Sequence, residues 1–123
     1  MSRHSTYQQK IGRSGENMAA EFLKKSGYTV LLRNYRAERG EIDIIAQDRE
    51  TLVFIEVKTG TSDQYGSPET WVDRRKQVQI GKVAQAYLID NQLEDVPCRF
   101  DVIAIVGSSG HRKIRHFKDA FWL

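Results

Sequence analysis

Hydrophobic and polar positions follow two different periods along this chain, and the shorter period marks its central segment. Two runs of β-branched and aromatic residues, 42–46 and 52–57, are joined by the polar turn 48–51 (DRET). Such runs are typical of strands, and a short polar connection is typical of a hairpin. The pattern therefore predicts a central antiparallel hairpin over residues 40–59.

Segments on either side of this hairpin have a helical period. The first helix is predicted over residues 14–26, with Ser14 as its N-cap and an apolar stripe at helical spacing. The second helix is predicted to begin after Ser67, which is followed by a proline at the first helical position, and to end near Asn91. The two helices can therefore cover the faces of a sheet.

Three further segments are predicted strands. Residues 28–35 precede the hairpin, and residues 99–106 form a nearly continuous apolar run, typical of a strand covered on both faces. The second helix would be the right-handed crossover to this parallel strand, and residues 112–117 would pair back as an edge strand. The predicted order α-β-β-β-α-β-β gives an α/β fold with a mixed five-stranded sheet flanked by helices.

Charged residues interrupt the two strands of the hairpin. If the hairpin is symmetric about its turn, Asp43 lies opposite Glu56, and Glu41 lies opposite Lys58. Opposed residues have Cβ atoms roughly 4.5–5.5 Å apart and point to the same face. Unless a bulge shifts this register, one patch of the sheet carries two carboxylates and an ammonium group in apolar surroundings.

Two neighbouring carboxylates in such surroundings favour a bound cation. They repel each other, and burial disfavours the ionised form of both. Mg²⁺ relieves this repulsion, since it accepts one or two carboxylates and keeps waters for a substrate phosphate. The alternative is an exposed hairpin in which Lys58 forms an ordinary ion pair. Apolar residues on both faces argue against an exposed sheet and favour the metal site; they are Ile44, Ile45, Phe54 and Ile55.

Six short segments, in this order, resemble one family. They are Gly15-Glu16, Asn34-Tyr35-Arg36, Gly40-Glu41-Ile42-Asp43, Glu56-Val57-Lys58, Asp73-x-x-Lys76 and Arg99-Phe100-Asp101-Val102. Nearly the whole chain resembles the small bacterial YraN family, an uncharacterised family whose members look like Holliday-junction resolvases. The acidic residue followed by Glu-x-Lys resembles the signature of the PD-(D/E)xK nuclease superfamily. Gly60 departs from this resemblance, because many relatives have a basic residue there.

The resemblance implies a restriction-endonuclease-like fold and a nuclease that uses Mg²⁺ or Mn²⁺ to hydrolyse DNA, with branched DNA as a candidate substrate. Asp43, Glu56 and the Val57 carbonyl would hold the metal, and Lys58 would assist the attacking water. A resolvase cuts two strands symmetrically, so this role implies a homodimer with C₂ symmetry.

Glu16 and Lys76 each have two interpretations. Near a predicted helix start, Glu16 would complement the helix dipole, whereas the resemblance implies an auxiliary metal-site carboxylate. Lys76 falls on the apolar stripe of the second helix. It either extends past the end of the sheet to solvent or reaches the carboxylates as an auxiliary residue of the site.

The charge distribution suggests a polyanionic partner. The net charge is +3, but seven Lys or Arg lie within residues 1–36 and four within residues 107–123. Basic flanks around an acidic centre suit a nucleic acid held at a metal, although charge counts alone favour solvated faces. Arg33, Arg36 and Arg39 either bind phosphates together with Lys76 or only keep the sheet edge soluble.

Length and the remaining composition bound the other properties. We expect one domain over residues 12–123, preceded by a flexible arm over residues 1–11. No run approaches the roughly 18 apolar residues of a membrane span, and the N-terminus lacks a hydrophobic signal region, so we expect a cytoplasmic location. The histidines show no zinc-ligand spacing. Cys98 and Asp101 are predicted to be buried, Asp101 as an acceptor paired with an arginine, and Phe121 and Trp122 are predicted to pack as a C-terminal patch.

The alternative function is a non-catalytic accessory module that binds nucleic acid with a nuclease-like fold. Such a module would hold DNA with a steep salt dependence and no need for Mg²⁺, whereas a nuclease would cut only with metal. RNA stays open as the nucleic acid, although no RNA-binding motif with paired aromatics supports it.

Overall fold

A computed structural model describes residues 7–60, 72–107 and 110–122, with side chains from residue 13 onwards. It confirms the α/β fold and the predicted order of elements. The elements are α1 (Tyr7–Lys25), β1 (Thr29–Ala37), β2 (Gly40–Asp48), β3 (Thr51–Gly60), α2 (Arg74–Asp90), β4 (Cys98–Val106) and β5 (Lys113–Phe117).

The five strands form one mixed sheet in the order β1-β2-β3-β4-β5. Strands β1, β2 and β3 are antiparallel neighbours, β4 runs parallel to β3, and β5 returns antiparallel to β4. Helix α2 connects the two parallel strands, as the continuous apolar run of β4 predicted. Strand β3 is therefore central, paired with β2 over its first half and with β4 along nearly its whole length.

Each helix packs on its own group of sheet residues. Ala19, Ala20 and Leu23 of α1 pack with residues that include Ile44 and Ile55. The residues of α2 pack with a second group from the same strands; the α2 residues are Ile80, Val83, Ala84 and Tyr87, and the strand residues include Ile42, Ile45 and Phe54. The alternation of side chains along the strands thus produces two cores, one on each face of the sheet.

The first helix begins earlier than predicted. It starts at Tyr7, so Ser14 is an interior helical residue and the prediction of Ser14 as N-cap is wrong. Residues 7–11 of the predicted arm are helical, and residues 1–6 lie outside the described part of the chain. The segment 7–13 contains Gln, Lys and Arg, which favour helix, and Gly12 and Gly15 concealed this preference in the sequence.

The second helix begins later than predicted. Asp73 is its N-cap, and the Asp73 carboxylate accepts from the backbone N–H of Lys76 at 2.8 Å. Val72, just before this cap, is buried in the α2 core and fixes where the chain enters the helix. The predicted N-cap, Ser67, lies outside the described residues. The predicted end is confirmed, with Asn91 as the C-cap.

The predicted burial of Cys98 and the predicted packing of Trp122 are also wrong. Cys98 is exposed, because it starts β4 at the end of the sheet, where its Sγ donates to the Val96 carbonyl. Trp122 is 74% exposed, whereas Phe121 is buried and stacks on Phe100 with ring centroids 5.2 Å apart. In the part of the chain that the structure describes, no helix is long and apolar enough to cross a membrane.

Candidate functional site

The two strands of the central hairpin separate at the position of the predicted site. The predicted register is confirmed from the turn to Ile44, which pairs with Ile55. The backbone ladder does not continue from there to Asp43 opposite Glu56, so that part of the prediction is wrong. Instead, the Asp43 Oδ2 accepts from the backbone N–H of Val57 at 2.8 Å, in place of a carbonyl of β2.

Strand β2 changes face at the same point. Residues two apart on a regular strand share a face, but Ile42 packs in the α2 core and Ile44 in the α1 core. In the neighbouring strand β1, Asn34 lies between the pairs Arg33–Ile44 and Tyr35–Ile42 and has a φ of +56°. This left-handed residue gives β1 a local irregularity beside Asp43, and the carboxylate is thereby turned into the gap between β2 and β3.

Glu56 is the second carboxylate of this gap, and it lies on the rigid central strand. It is buried, and its Oε1 is 3.9 Å from the Lys58 Nζ. Its Oε2 is buried and has no hydrogen-bond donor among the residues that the structure describes. An unpaired buried acceptor is rare in folded proteins and costs about 1–3 kcal/mol, so this atom calls for a partner, which either a proton shared with Asp43 or a bound cation would supply.

The electrostatics of the pair disfavour two ionised carboxylates. Burial, followed by the charge of Glu56, raises the pKa of Asp43 to about 7, with further increases from Glu16 and Glu41 and an opposing decrease from the Val57 N–H. Burial also raises the pKa of Glu56, although Lys76 and then Lys58 act against it. The pair therefore retains a proton near neutral pH unless another positive charge arrives.

Glu16 approaches the pair from α1. Because α1 begins at Tyr7, Glu16 lies in the interior of the helix, and its interpretation as a complement to the helix dipole is wrong. Its Oε1 is buried and accepts no hydrogen bond from the described residues, and Oε1 faces the Arg33 Nη2 at 3.5 Å. The negative charge of Glu16 contributes to the raised pKa of Asp43, which places Glu16 in the same electrostatic cluster.

A glycine allows this approach. Gly15 is buried in α1, and a Cβ at this position would collide with the Thr59 methyl group of β3. The helix thus lies closer to the central strand than any larger residue would permit. Sequence reasoning missed this role, although a glycine in the interior of a helix signals a close contact.

Two lysines bring positive charge to the pair. Lys58 follows Glu56 on β3, and Lys76 lies in the first turn of α2 with its side chain half-buried. Of the two, Lys76 has the larger effect on the pKa of Glu56. This placement supports the interpretation that Lys76 reaches toward the carboxylates.

The three predicted phosphate-binding arginines lie in β1 and in the turn that follows it. Arg33 pairs with Glu16, and Arg36 is largely exposed, with its Nε 3.3 Å from the Glu41 Oε2. Arg39 is exposed in the turn between β1 and β2. Arg36 and Arg39 line an open cleft of about 560 Å³ together with Lys76, so the structure brings these three together, whereas Arg33 faces α1.

The donor atoms fit a cation that keeps several water ligands. No group of three or more His, Cys, Asp or Glu within residues 13–60, 72–107 and 110–122 is close enough to enclose a metal ion. Asp43 and Glu56, with the Val57 carbonyl, offer oxygen ligands only, which suits Mg²⁺ or Mn²⁺ rather than zinc. The buried, unpaired Oε2 of Glu56 is the observation in favour of this fit.

A third buried carboxylate, Asp101, belongs to a separate structural cluster. As predicted, it pairs with an arginine: Arg99 donates from Nε at 2.9 Å and from Nη2 at 3.0 Å. His116 and the backbone N–H of Asp119 also donate to Asp101, and neither contact follows from the local sequence. Asp101 therefore has no free acceptor for a site role.

Comparison with known proteins places the chain among close relatives. Residues 15–105 match the model of an uncharacterised protein family, UPF0102. The UPF0102 protein of Chlorobium limicola is 48% identical over 118 residues, which cover 91% of this chain and 92% of that protein. The UPF0102 protein of Geobacter metallireducens is 43% identical over 119 residues, which cover 97% and 98%. The names of these relatives give no activity, ligand or partner.

Proposed function

The chain belongs to the uncharacterised protein family UPF0102, the YraN family that its motifs resemble, and we propose that it is a metal-dependent endonuclease acting on DNA. The observation that carries the proposal is the pair of half-buried Asp43 and buried Glu56, in which one Glu56 oxygen has no hydrogen-bond partner among the described residues and the pKa of both carboxyl groups is raised. Acidic pairs with such pKa values are more frequent at functional sites than elsewhere.

Asp43 and Glu56, together with the Val57 carbonyl, would hold Mg²⁺ or Mn²⁺, and Glu16 would be an auxiliary carboxylate. When bound, the ion would supply Lewis acidity and neutralise charge on a phosphate. Since the ion adds the positive charge that the pair lacks, both carboxylates could then be ionised at neutral pH.

The lysines supply the remaining chemistry. The Lys58 Nζ lies 3.9 Å from the Glu56 carboxylate, so a water or a phosphate oxygen held beside Glu56 would be within reach of this ammonium group. Lys58 would orient the attacking water and stabilise the negative charge that develops on the oxygens of the phosphate. Lys76 would assist from α2, and Arg36 and Arg39 would bind the phosphate backbone.

Branched DNA is the substrate we favour, because the family resembles Holliday-junction resolvases. The proposal includes a C₂ homodimer, since a junction presents two equivalent strands to be cut. It also includes a cytoplasmic location, where bacterial DNA is found.

The test is cleavage of labelled linear, flapped and four-way DNA with Mg²⁺, with Mn²⁺ or with EDTA. Wild type is expected to cut only with metal, Asp43→Asn is expected to abolish cutting, and Lys58→Ala to slow it by about 10²–10³-fold. Asp95→Asn and Lys82→Ala, which change the same residue types at exposed positions, are expected to cut at the wild-type rate. Cutting that persists in Asp43→Asn would refute the assignment.

The non-catalytic binding module is the second candidate. It is favoured by the exposed arginines beside the cleft and by the lack, among the described residues, of any group of three or more His, Cys, Asp or Glu that could hold a metal ion. Tight DNA binding with no cutting under any metal condition would establish it in place of the nuclease.

A further inference from the structure

We infer that the cleft between the β1–β2 turn and the start of α2 binds a second backbone phosphate of the nucleic acid, and that Gln79 is the positioning residue that holds the turn for this contact. The inference rests on the proposed function, because it assumes that a nucleic-acid strand lies across the acidic pair. Its phosphate would be a neighbour of the phosphate that is cut, on the same strand.

The turn between β1 and β2 has a backbone conformation that its residues disfavour. Strand β1 ends at Ala37 and β2 begins at Gly40, so Glu38 and Arg39 are the two turn residues. Their φ angles are +49° and +60°. Two-residue turns with two positive φ angles normally contain Asn or Gly, so contacts outside the turn must hold this one in place.

Helix α2 provides these contacts. The Gln79 Nε2 donates to the Glu38 carbonyl at 2.6 Å. A Cβ on Gly40 would lie 2.6 Å from the Gln79 Nε2 and 2.8 Å from the Val83 Cγ2, so the turn and the helix are in close contact. Gln79 lies one turn after Lys76 on α2, and residues at this spacing share a helix face. One face of α2 thus presents Lys76 and fixes the turn that carries Arg39.

The cleft formed by this arrangement has about 560 Å³ of open space, which is enough for a nucleotide. Its basic residues are Arg36, Arg39 and Lys76. Arg36 is partly neutralised by Glu41, whereas Arg39 makes no ion pair with any residue that the structure describes. Of the two arginines, Arg39 is therefore the more available to a phosphate.

The cleft lies beside the acidic pair. Glu41, which lines the cleft, is two residues before Asp43 on β2, and Lys76 lines the cleft from the first turn of α2. A strand with one phosphate at Glu56 would therefore carry its next phosphates along the surface that Arg39 lines. A phosphate is the expected ligand, since arginine and lysine together bind its oxygens through charge-assisted hydrogen bonds.

The first arm of the test compares two arginines. Arg39 and Arg49 are both exposed, both have φ near +60°, and they occupy the turns at opposite ends of β2. Binding of a labelled DNA duplex would be measured by fluorescence anisotropy in EDTA over a series of NaCl concentrations. Arg39→Gln is expected to reduce the slope of log K against log [NaCl] by about 0.9, the value for one lost phosphate contact. Arg49→Gln is expected to change neither slope nor affinity.

The second arm tests the positioning role of Gln79. Gln79→Ala is expected to weaken binding in the wild-type background and to have no further effect in the Arg39→Gln background, because Gln79 acts only through the turn. Gln79→Met keeps the approximate size of the side chain, removes the donor and adds no charge, so it replaces Gln79→Ala in both backgrounds if that variant proves unstable. Gln85→Ala, an exposed change on the same helix, is the control.

Each outcome bears on either the inference or the proposed function. Equal effects of Arg39→Gln and Arg49→Gln would overturn the phosphate site. Additive effects of the Gln79 and Arg39 changes would overturn the positioning role. Neither result would contradict metal-dependent cutting, so the proposed function would stand. Binding that depends on Arg39 without any cutting would support the phosphate site and refute the nuclease. No DNA binding at any salt concentration would overturn both.

Discussion

Asp43 and Asp101 lie on the same sheet, and their surroundings differ in what faces the carboxylate. Asp101 is fully buried, and burial alone would raise its pKa, but donors from His116, Arg99 and the Asp119 backbone lower it below the usual value. Asp43 accepts one described hydrogen bond, from Val57, and is surrounded by other carboxylates that reinforce the effect of burial. Burial thus acts on both carboxyl groups, and the number of hydrogen-bond donors decides whether the pKa is raised or lowered.

The comparison separates a carboxylate that stabilises the fold from one that the fold tolerates. Four hydrogen bonds use the acceptor capacity of Asp101, so its ionised form is part of the folded structure. The pair of Asp43 and Glu56 instead leaves an oxygen without a partner. Proteins depart from full satisfaction of buried polar groups chiefly at functional sites, and this is why we assign the function to the second region.

The largest expected effect on stability comes from removing the Asp101 carboxylate. Asp101→Asn places an amide NH₂ group against hydrogen-bond donors and leaves the partly buried Arg99 with only its longer pair to Asp48, so it is expected to lower the free energy of unfolding by about 3–5 kcal/mol. Urea denaturation at neutral pH measures this change. The matched control is Asp48→Asn, because Asp48 also pairs with Arg99, at 3.3 Å, but is more exposed. It is expected to cost less than about 1 kcal/mol.

For Asp43, substitution is expected to change the free energy of unfolding in the opposite direction. Asp43→Asn retains an oxygen that can accept from the Val57 N–H and removes the charge that burial and Glu56 disfavour. It is therefore expected to raise the free energy of unfolding by about 1–3 kcal/mol at pH 8 while abolishing cleavage. A loss of stability in this variant would show that the acidic pair stabilises the fold as an ordinary structural cluster does.

The pH dependence of stability separates the two regions further. The pKa of Asp43 is raised from 3.8 to about 7, so its favourable contribution is complete below pH 3.8 and is lost as the pH rises through 7. The pKa of Asp101 is lowered, so its contribution is complete above pH 3.8 and is lost as the pH falls through the lower folded value. The stability of wild type relative to Asp43→Asn is expected to fall between pH 5 and pH 8, and unfolding curves across this range would show it.

The sequence predicted those parts of the fold that depend on local pattern. The hairpin and its register follow from two short runs with period 2 and a polar turn, and the parallel strand follows from the continuous apolar run of residues 99–106. The pairing of Asp101 with an arginine also follows, because a charge inside such a run requires a partner. These features depend on neighbours in sequence or on burial alone.

The parts that the sequence did not predict depend on contacts between distant elements. The left-handed conformation of Asn34 and the change of face beside Asp43 interrupt the period that the prediction assumed. Gly15 lies inside the predicted first helix, but its close contact with Thr59 of β3 did not follow from the sequence. Gln79 has no sequence signal, since its partner is a backbone carbonyl in another element.

The measurement that tests the central claim most directly is the free energy of unfolding at pH 8 with and without saturating Mg²⁺, for wild type and for Asp43→Asn. If the acidic pair is a cation site, Mg²⁺ is expected to stabilise wild type by about 1–3 kcal/mol, as for a ligand at ten to a hundred times its dissociation constant. The same addition is expected to leave Asp43→Asn unchanged. Equal stabilisation of both proteins, or none of wild type, would contradict the assignment of a metal site to Asp43 and Glu56.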